Sequence, residues 1–260
     1  MDKIKAASAL SSLSRLEGHK LNFLTPVDDP LRGIPLGDGS TGLLYWPDKD
    51  KIVFNINNTD LWKESSEKEI HNWAPESEEH TNALLSAGVL EITYNNPAFD
   101  TIYQEDYKAS LSLKNATLDV RARTCFSDVS VSAFCSEKYR SSVIKINSDF
   151  TEEVACEIIL KNWGSRTFGH WYAQINRDAS VRLDDTDCNV TGDTVYIKRN
   201  LSGKVFCTAL YAENGIKTAV NKHSAKVITE KSVKHQNTLI LTVAVADDFA
   251  AAVNLANERI

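Results

Sequence analysis

Tyr107, Ala109, Leu111 and Leu113 alternate with polar residues, Lys114-Asn115 interrupts the run, and Ala116, Leu118, Val120 and Ala122 alternate back. Successive side chains of a strand point to opposite faces, so a period of two on both sides of a turn-forming pair specifies a β-hairpin with one buried face. The same texture recurs before it, at Ile52, Phe54 and Ile56 and at Leu90, Ile92 and Tyr94. It continues after it, at Val129, Val131 and Ala133 and at Ile144 and Ile146. Residues 154–160 form a more continuous apolar run, as in a strand buried on both faces. Further strands are expected over 170–175, 194–198, 205–211, 225–229 and 238–246. Turns recur at roughly 8–12 residue intervals, the rhythm of an all-β sandwich or barrel. Nothing alternates β with α units, which excludes Rossmann and TIM architectures.

Helix is expected at the two ends. Ile4, Ala7, Leu10, Leu13 and Leu16 follow helical spacing up to a stop at Gly18, which places a short N-terminal helix within residues 1–20. The β-domain then runs over 21–246. In 247–260, Asp247 or Asp248 can cap a helix favoured by three alanines, with Phe249, Val253 and Ala256 on one face. That segment reads as the start of a linker to a further domain. Residues 63–81, rich in Glu, Ser and His, read as an exposed loop or short helix.

Composition narrows the partners. A net charge of −6 with no basic run excludes a nucleic-acid surface. No apolar run reaches about 18 residues, so no transmembrane helix is expected. The N-terminal segment is too polar for a signal peptide, so the chain as given reads as cytoplasmic, or as a piece from which a leader was trimmed, and its localisation stays open. The five cysteines, Cys125, Cys135, Cys156, Cys188 and Cys207, show no C-x-x-C spacing and are read as buried thiols, a Cys125–Cys135 bridge being the alternative.

Three stretches carry candidate chemistry. PLGDGSTG, at 35–42, resembles a phosphate cradle, but Gly42 is followed by the strand-like LLYW and lacks the Lys-Ser/Thr of a phosphate loop. It reads as a turn with Gly37 and Gly39 at positive φ, closed by Gly42. NNTDLW, at 57–62, puts Asn58, Asp60 and Trp62 together, and a sugar site needs carboxylates and amides for hydroxyl pairs and an aromatic face for the ring. The alternative is a turn-capping Asp and a core Trp. NWGSRTFGHWY, at 162–172, adds His170 and Trp171, candidates for sugar contact and proton transfer set against core packing. No nucleophile signature, metal spacing or cofactor motif is present.

Together these stretches resemble the N-terminal β-domain of fucosidase-like glycoside hydrolases, family 95 and relatives. The family motif Pro-(Ile/Leu)-Gly-Asn-Gly-x-x-Gly is matched from Pro35 to Gly42, with Asp38 for the usual Asn. A Thr-Asp-x-Trp segment is matched by Thr59, Asp60, Leu61 and Trp62. LLSAGVLEITYNNPAF and YQEDYKASLSLKNATLDV are similar to the segments that follow in one branch, with Tyr107 where Leu is common. The likeness spans 34–146 and continues more thinly to 246. It implies a large two-sheet antiparallel supersandwich of the galactose-mutarotase type. In relatives this domain precedes a helical linker and an α-helical barrel that carries the acid and base, so no catalytic residue is expected here. Asp38, Asp60 and Trp62 would line part of a carbohydrate site, and the partner would be a helical catalytic domain of the same or a neighbouring chain. Two rival readings are a stand-alone carbohydrate-binding protein and a mutarotase-type epimerase using a Glu with His170.

Overall fold

The computed structural model describes residues 16, 18–27, 29–65, 81–162, 166–167, 180–181, 186–201 and 203–260, and only the backbone of 62–65, 81–85, 166–167, 180–181 and 201. The chain builds two antiparallel sheets and moves between them repeatedly. β1 (Lys20–Phe23) lies at the edge of the larger sheet. β2 (Ile34–Gly37), β3 (Thr41–Asp48), β4 (Lys51–Ser65) and β5 (Thr81–Thr93) are consecutive neighbours in the smaller one. The chain then crosses to the larger sheet for the meander β6 (Gln104–Ser112), β7 (Thr117–Thr124), β8 (Ser127–Ser136) and β9 (Ser141–Val154). β10 (Glu157–Lys161) returns to the smaller sheet beside β5, and β11 (Arg166–Thr167) and β12 (Ser180–Val181) form a separate ribbon. β13 (Thr186–Thr191), β14 (Thr194–Leu201) and β15 (Lys204–Ala212) add to the larger sheet, β16 (Ile216–Asn221) and β17 (Ser224–Ile228) to the smaller. β18 (Ser232–Ala246) closes the larger sheet between β9 and β15, and helix α1 (Phe249–Arg259) follows. Among the described residues the sheets have nine and seven strands, so the fold is an all-β, two-sheet antiparallel sandwich.

The expected hairpin is β6–β7. Leu111 pairs Leu118, Ala109 pairs Val120 and Tyr107 pairs Ala122, and all six side chains are buried. Ala116 belongs to the turn instead, at φ 50°. β3 shows a strict alternation of buried and half-exposed positions, as a strand with one face on the core must. One core fills the space between the sheets: Tyr45, Phe54, Leu90 and Ile92 from the smaller meet Leu118, Val131, Ile144 and Leu241 from the larger. Each such side chain contributes about 1.5–3 kcal/mol on burial.

The run 154–160 is not one doubly buried strand. β9 ends at Val154, Ala155 and Cys156 cross between the layers, and β10 begins at Glu157 with only Ile158 and Leu160 buried. The run is apolar because the chain passes through the core edge there, with Cys156 fully buried and its N–H held by Thr229 Oγ1 at 3.1 Å. β4 extends through Ser65 and β5 starts at Thr81, so the ends of 63–81 are strand rather than loop, and 66–80 lie outside the described residues. The N-terminal helix expected within 1–20 also falls mostly outside them, as does 170–175. All five cysteines are free. Cys125 is exposed in the β7–β8 turn and Cys135 half-buried, so only three are the buried thiols expected, and no Cys125–Cys135 bridge exists.

Helix α1 starts at Asp248, whose carboxylate accepts the Ala251 N–H at 2.8 Å. It packs on the outer face of the larger sheet: Ala252 and Ala256 are buried against Cys207, Ala209 and Ala244, with Phe249 and Val253 partly buried beside them. Small residues let the helix approach closely, and Tyr196 Oη donates to Asn257 Oδ1 at 2.6 Å to pin it. No helix of the described residues is long and apolar enough to cross a membrane.

Candidate functional site

Two of the stretches singled out in the sequence are knitted together at one end of the sandwich. β2 and β3 form a tight hairpin in which Gly37 pairs Gly42 and the Asp38 N–H donates to Thr41 O at 3.1 Å. Asp38 Oδ1 accepts the Ser40 and Thr41 N–H groups at 2.8 and 2.6 Å, so the side chain closes the turn that its own backbone opens. Gly39 takes φ +90°, where a side chain would be strained. Gly37 does not: it lies in β2, outside the left-handed region expected for it, and a Cβ there would instead press on Thr41 O at 3.3 Å. Gly42 lies in β3, with room for a Cβ at ordinary contact distance from Leu36 O.

β4 runs back beside β3 so that Asn58 faces Thr41. Asn58 is buried, its Nδ2 donating to Thr41 Oγ1 at 3.1 Å and its Oδ1 accepting the Asp60 N–H at 3.0 Å. Both ends of the amide are therefore engaged inside the protein. Between the pairs Asn57–Ser86 and Trp62–Leu84, β4 carries four residues where β5 carries one. This bulge pushes Thr59 and Asp60 into solvent while Leu61 stays buried, 1% exposed. The Thr59 N–H donates to Ser40 O at 2.9 Å and ties the bulge to the glycine turn. Asp60 is thus an exposed carboxylate on a stiff support. The side chains of Trp62, His170 and Trp171 lie outside the described residues.

Asp38 Oδ2 is buried without a hydrogen-bond partner. Its charge is felt by two groups. Burial pushes the Cys135 thiol up and Asp38 adds to that, against a hydrogen bond from Ser142. Burial and Arg140 lower the Arg259 guanidinium, with Asp38 and Glu258 opposing. At the last turn of α1, Arg259 Nη1 also donates to Val243 O at 2.7 Å.

Sequence reasoning missed the strut behind the bulge. Arg199 on β14 is 4% exposed and reaches across the core, Nη1 donating to Ser86 O on β5 at 3.0 Å and Nη2 to Asn162 Oδ1. Asn162 opens the third candidate stretch, and Ser86 pairs Asn57 at the start of the bulge. In sequence Arg199 sits in KRN near a strand end and reads as a surface cation, so no signal marked it. Among the described residues no group of three or more His, Cys, Asp or Glu side chains could hold a metal ion.

The turn makes a direct prediction. Asp38→Ala removes two backbone-to-carboxylate hydrogen bonds and is expected to lower stability by about 2 kcal/mol. Asp38→Asn keeps an oxygen at the same place and is expected to lose less than about 1 kcal/mol. Urea unfolding of both variants checks this, and equal losses would contradict the turn-closing role.

No protein-family model and no curated protein matches the chain. Among solved structures it is similar to a protein from the human microbiome assigned as a kojibiose phosphorylase, with a TM-score of 0.57 and 10% identity over 92% of this chain and 37% of that one. The likeness is one of fold, and the chain spans little more than a third of that protein's length.

Proposed function

We propose that this chain is a non-catalytic β-sandwich domain of a carbohydrate-active enzyme, a glycoside hydrolase or phosphorylase, which braces an α-helical catalytic domain and lends the Thr59–Asp60 bulge to the rim of a sugar site. The observation that carries this reading is the fold match itself: nearly the whole of this chain corresponds to a minor part of a protein named for acting on a disaccharide. The rim supports it. Asp60 is an exposed carboxylate with its main chain held by Asn58, suited to chelating a pair of sugar hydroxyls. Asn58 and Asp38 shape that rim from inside, and Trp62, His170 and Trp171 are the further residues proposed to face the sugar. The motif resemblance proposes a fucosidase-like context, and α1 is proposed as the start of the helical connection to the partner domain.

Calorimetric titration of the chain with fucosides, galactosides, arabinosides and glucosides tests the rim. As one wall of a site, it is expected to bind one of these with a dissociation constant of about 1 mM, equivalent to about −4 kcal/mol, and Asp60→Asn is expected to weaken that binding about tenfold. Micromolar affinity by the chain alone would favour a stand-alone carbohydrate-binding protein, and an Asp60→Asn variant that binds unchanged would remove Asp60 from the rim.

A further inference from the structure

Asn214-Gly215 is the one Asn-Gly pair in the sequence. It stands where the chain changes sheets. β15 ends in the larger sheet at Ala212, and β16 begins in the smaller one at Ile216. Residues 213–215 take no regular structure, and Asn214 is exposed. Gly215 takes φ +93°.

An asparagine carries an electrophile, its side-chain amide carbon, within reach of the next main-chain nitrogen. Attack of that nitrogen on Cγ closes a five-membered ring, and the two reactants are already held together. A side chain on the following residue shields the nitrogen and restricts the backbone, and glycine does neither. Among the described residues no hydrogen bond engages the Asn214 amide or the Gly215 N–H, so neither reactant must first be released. Two other turns of this chain each lack one of these conditions. Asn115-Ala116 is exposed, with Ala116 at φ 50°, but Ala116 carries a Cβ. Asp38-Gly39 has the glycine, at φ +90°, but Asp38 Oδ1 is held by the Ser40 and Thr41 N–H groups.

The turn has no slack on its inner side. A Cβ on Gly215 would stand 2.8 Å from Val227 Cγ1 and 2.9 Å from Ile228 O. The very next residue, Ile216, opens the ladder by pairing Ile228. An extra main-chain atom at residue 214 therefore pushes against β17 or shifts the start of β16. β16 is the weaker party. It is an edge strand paired only with β17, and none of its six residues is buried. Beyond the ladder, Lys217 Nζ ties it to the exposed Asp193 in the β13–β14 turn at 2.6 Å. A strand with so little buried surface opens at low cost.

We propose that Asn214 is a self-modification site whose product releases β16 from the sheet edge. The Gly215 nitrogen gives up its proton and bonds to Asn214 Cγ, the bond from Cγ to the side-chain nitrogen breaks, and ammonia leaves from a succinimide ring. One water then opens the ring. Addition at Cγ leaves aspartate. Addition at the main-chain carbonyl carbon leaves isoaspartate, in which the main chain runs through Cβ and Cγ and is longer by one methylene. The sum is one water consumed and one ammonia released, with no change of oxidation state. Either product adds a carboxylate beside Glu213, and isoaspartate adds the extra atom that the turn cannot absorb. The site lies apart from Asp60, so this reading and the sugar rim stand or fall separately.

The test holds the purified, folded chain at mildly alkaline pH, samples it over time, and maps its peptides by mass spectrometry with fragmentation that separates aspartate from isoaspartate. Asn214 is expected to convert to both, faster than Asn115 by at least about tenfold, which is about 1.4 kcal/mol in activation free energy. Asp38 is expected to stay unchanged, and the Asn214 rate is expected to lie within about tenfold of that in the chain unfolded by guanidinium. Hydrogen exchange of the converted chain is expected to speed up over Ile216–Ala219 and to stay the same in β9 and β18. Asn214→Gln, whose attack would need a six-membered ring, is expected to stop the conversion and keep β16 protected. Conversion in the unfolded chain but not in the folded one overturns the proposal, as does conversion of Asn115 at an equal rate. Conversion with unchanged exchange over Ile216–Ala219 overturns the release of β16. If Asn214→Gln does not fold, the time course and exchange of the unsubstituted chain decide by the same criteria.

Discussion

Arg199→Ala is expected to destabilise the chain by about 3 kcal/mol, with a fall in Tm of about 6–12 °C. Arg199 bridges the two sheets, and its removal opens a void between them while leaving Ser86 O and Asn162 Oδ1 without their donor. The residue is costly as well as useful. Its Nε has no partner, no ion pair joins it to a carboxylate among the described residues, and burial lowers its pKa to about 10. Arg199→Met therefore makes an informative comparison. It fills most of the space and removes the desolvated charge, and is expected to lose only about 1 kcal/mol. Urea unfolding of both variants decides. A loss below about 1 kcal/mol for Arg199→Ala would contradict the strut role and would leave the bulge that carries Asp60 without its inner support.

The second large effect is alkaline. Burial pushes the Cys156 and Cys207 thiols up to about 12 and the Cys188 thiol to about 11, with Asp187 adding to the last. Burial also raises the Tyr107 phenol to about 12, partly opposed by Tyr45, and lifts Tyr45 and Tyr94 well above the phenol range. In every case the folded-state value lies above the unfolded one, so the folded chain holds protons that the unfolded chain gives up. The stability contributed is complete below the unfolded pKa, near 9 for thiols and 10 for phenols, and is lost as pH rises toward the folded values. Arg199 acts in the opposite sense, but only from about pH 10 upward. Each group is worth about 1.4 kcal/mol per pH unit inside its window, so Cys156 and Cys207 alone remove about 3 kcal/mol between about pH 8 and pH 10. The urea midpoint is expected to be level from about pH 6 to 8 and to fall steeply above 9. A level midpoint up to pH 10.5 would contradict the burial of these groups.

The parts of this fold legible in the sequence are those where one side of a strand is buried and the other wet. β6 and β7 announce themselves because Leu111, Leu118 and Val120 face the core while Lys108, Asp119 and Arg121 do not. α1 was legible through its cap and its alanines. β16 was not, because almost every position of that edge strand is exposed and a strand with no buried face shows no period. The switch at Ala155–Cys156 was hidden for the opposite reason: periodicity reports that a side chain is buried, not in which sheet its strand pairs. In the β2–β3 hairpin, the strand after Gly42 was legible and the turn reading named Gly39, yet Gly37 proved to be strand. Asn58 was singled out because its type suits a sugar; that its amide is buried and held by Thr41, seventeen residues away, and by the Asp60 N–H has no local sequence signal. At Asp38, Oδ1 closes the turn as an amide oxygen could, while Oδ2 adds a carboxylate oxygen whose charge acts on Arg259 and Cys135.

The central claim is that this chain supports sugar chemistry without performing it. The most direct measurement is turnover by the purified chain on aryl fucosides, galactosides, arabinosides and glucosides, with and without inorganic phosphate. The account predicts product release at the uncatalysed rate for every substrate. Turnover above that rate, abolished by Asp60→Asn in a variant that remains folded, would contradict it.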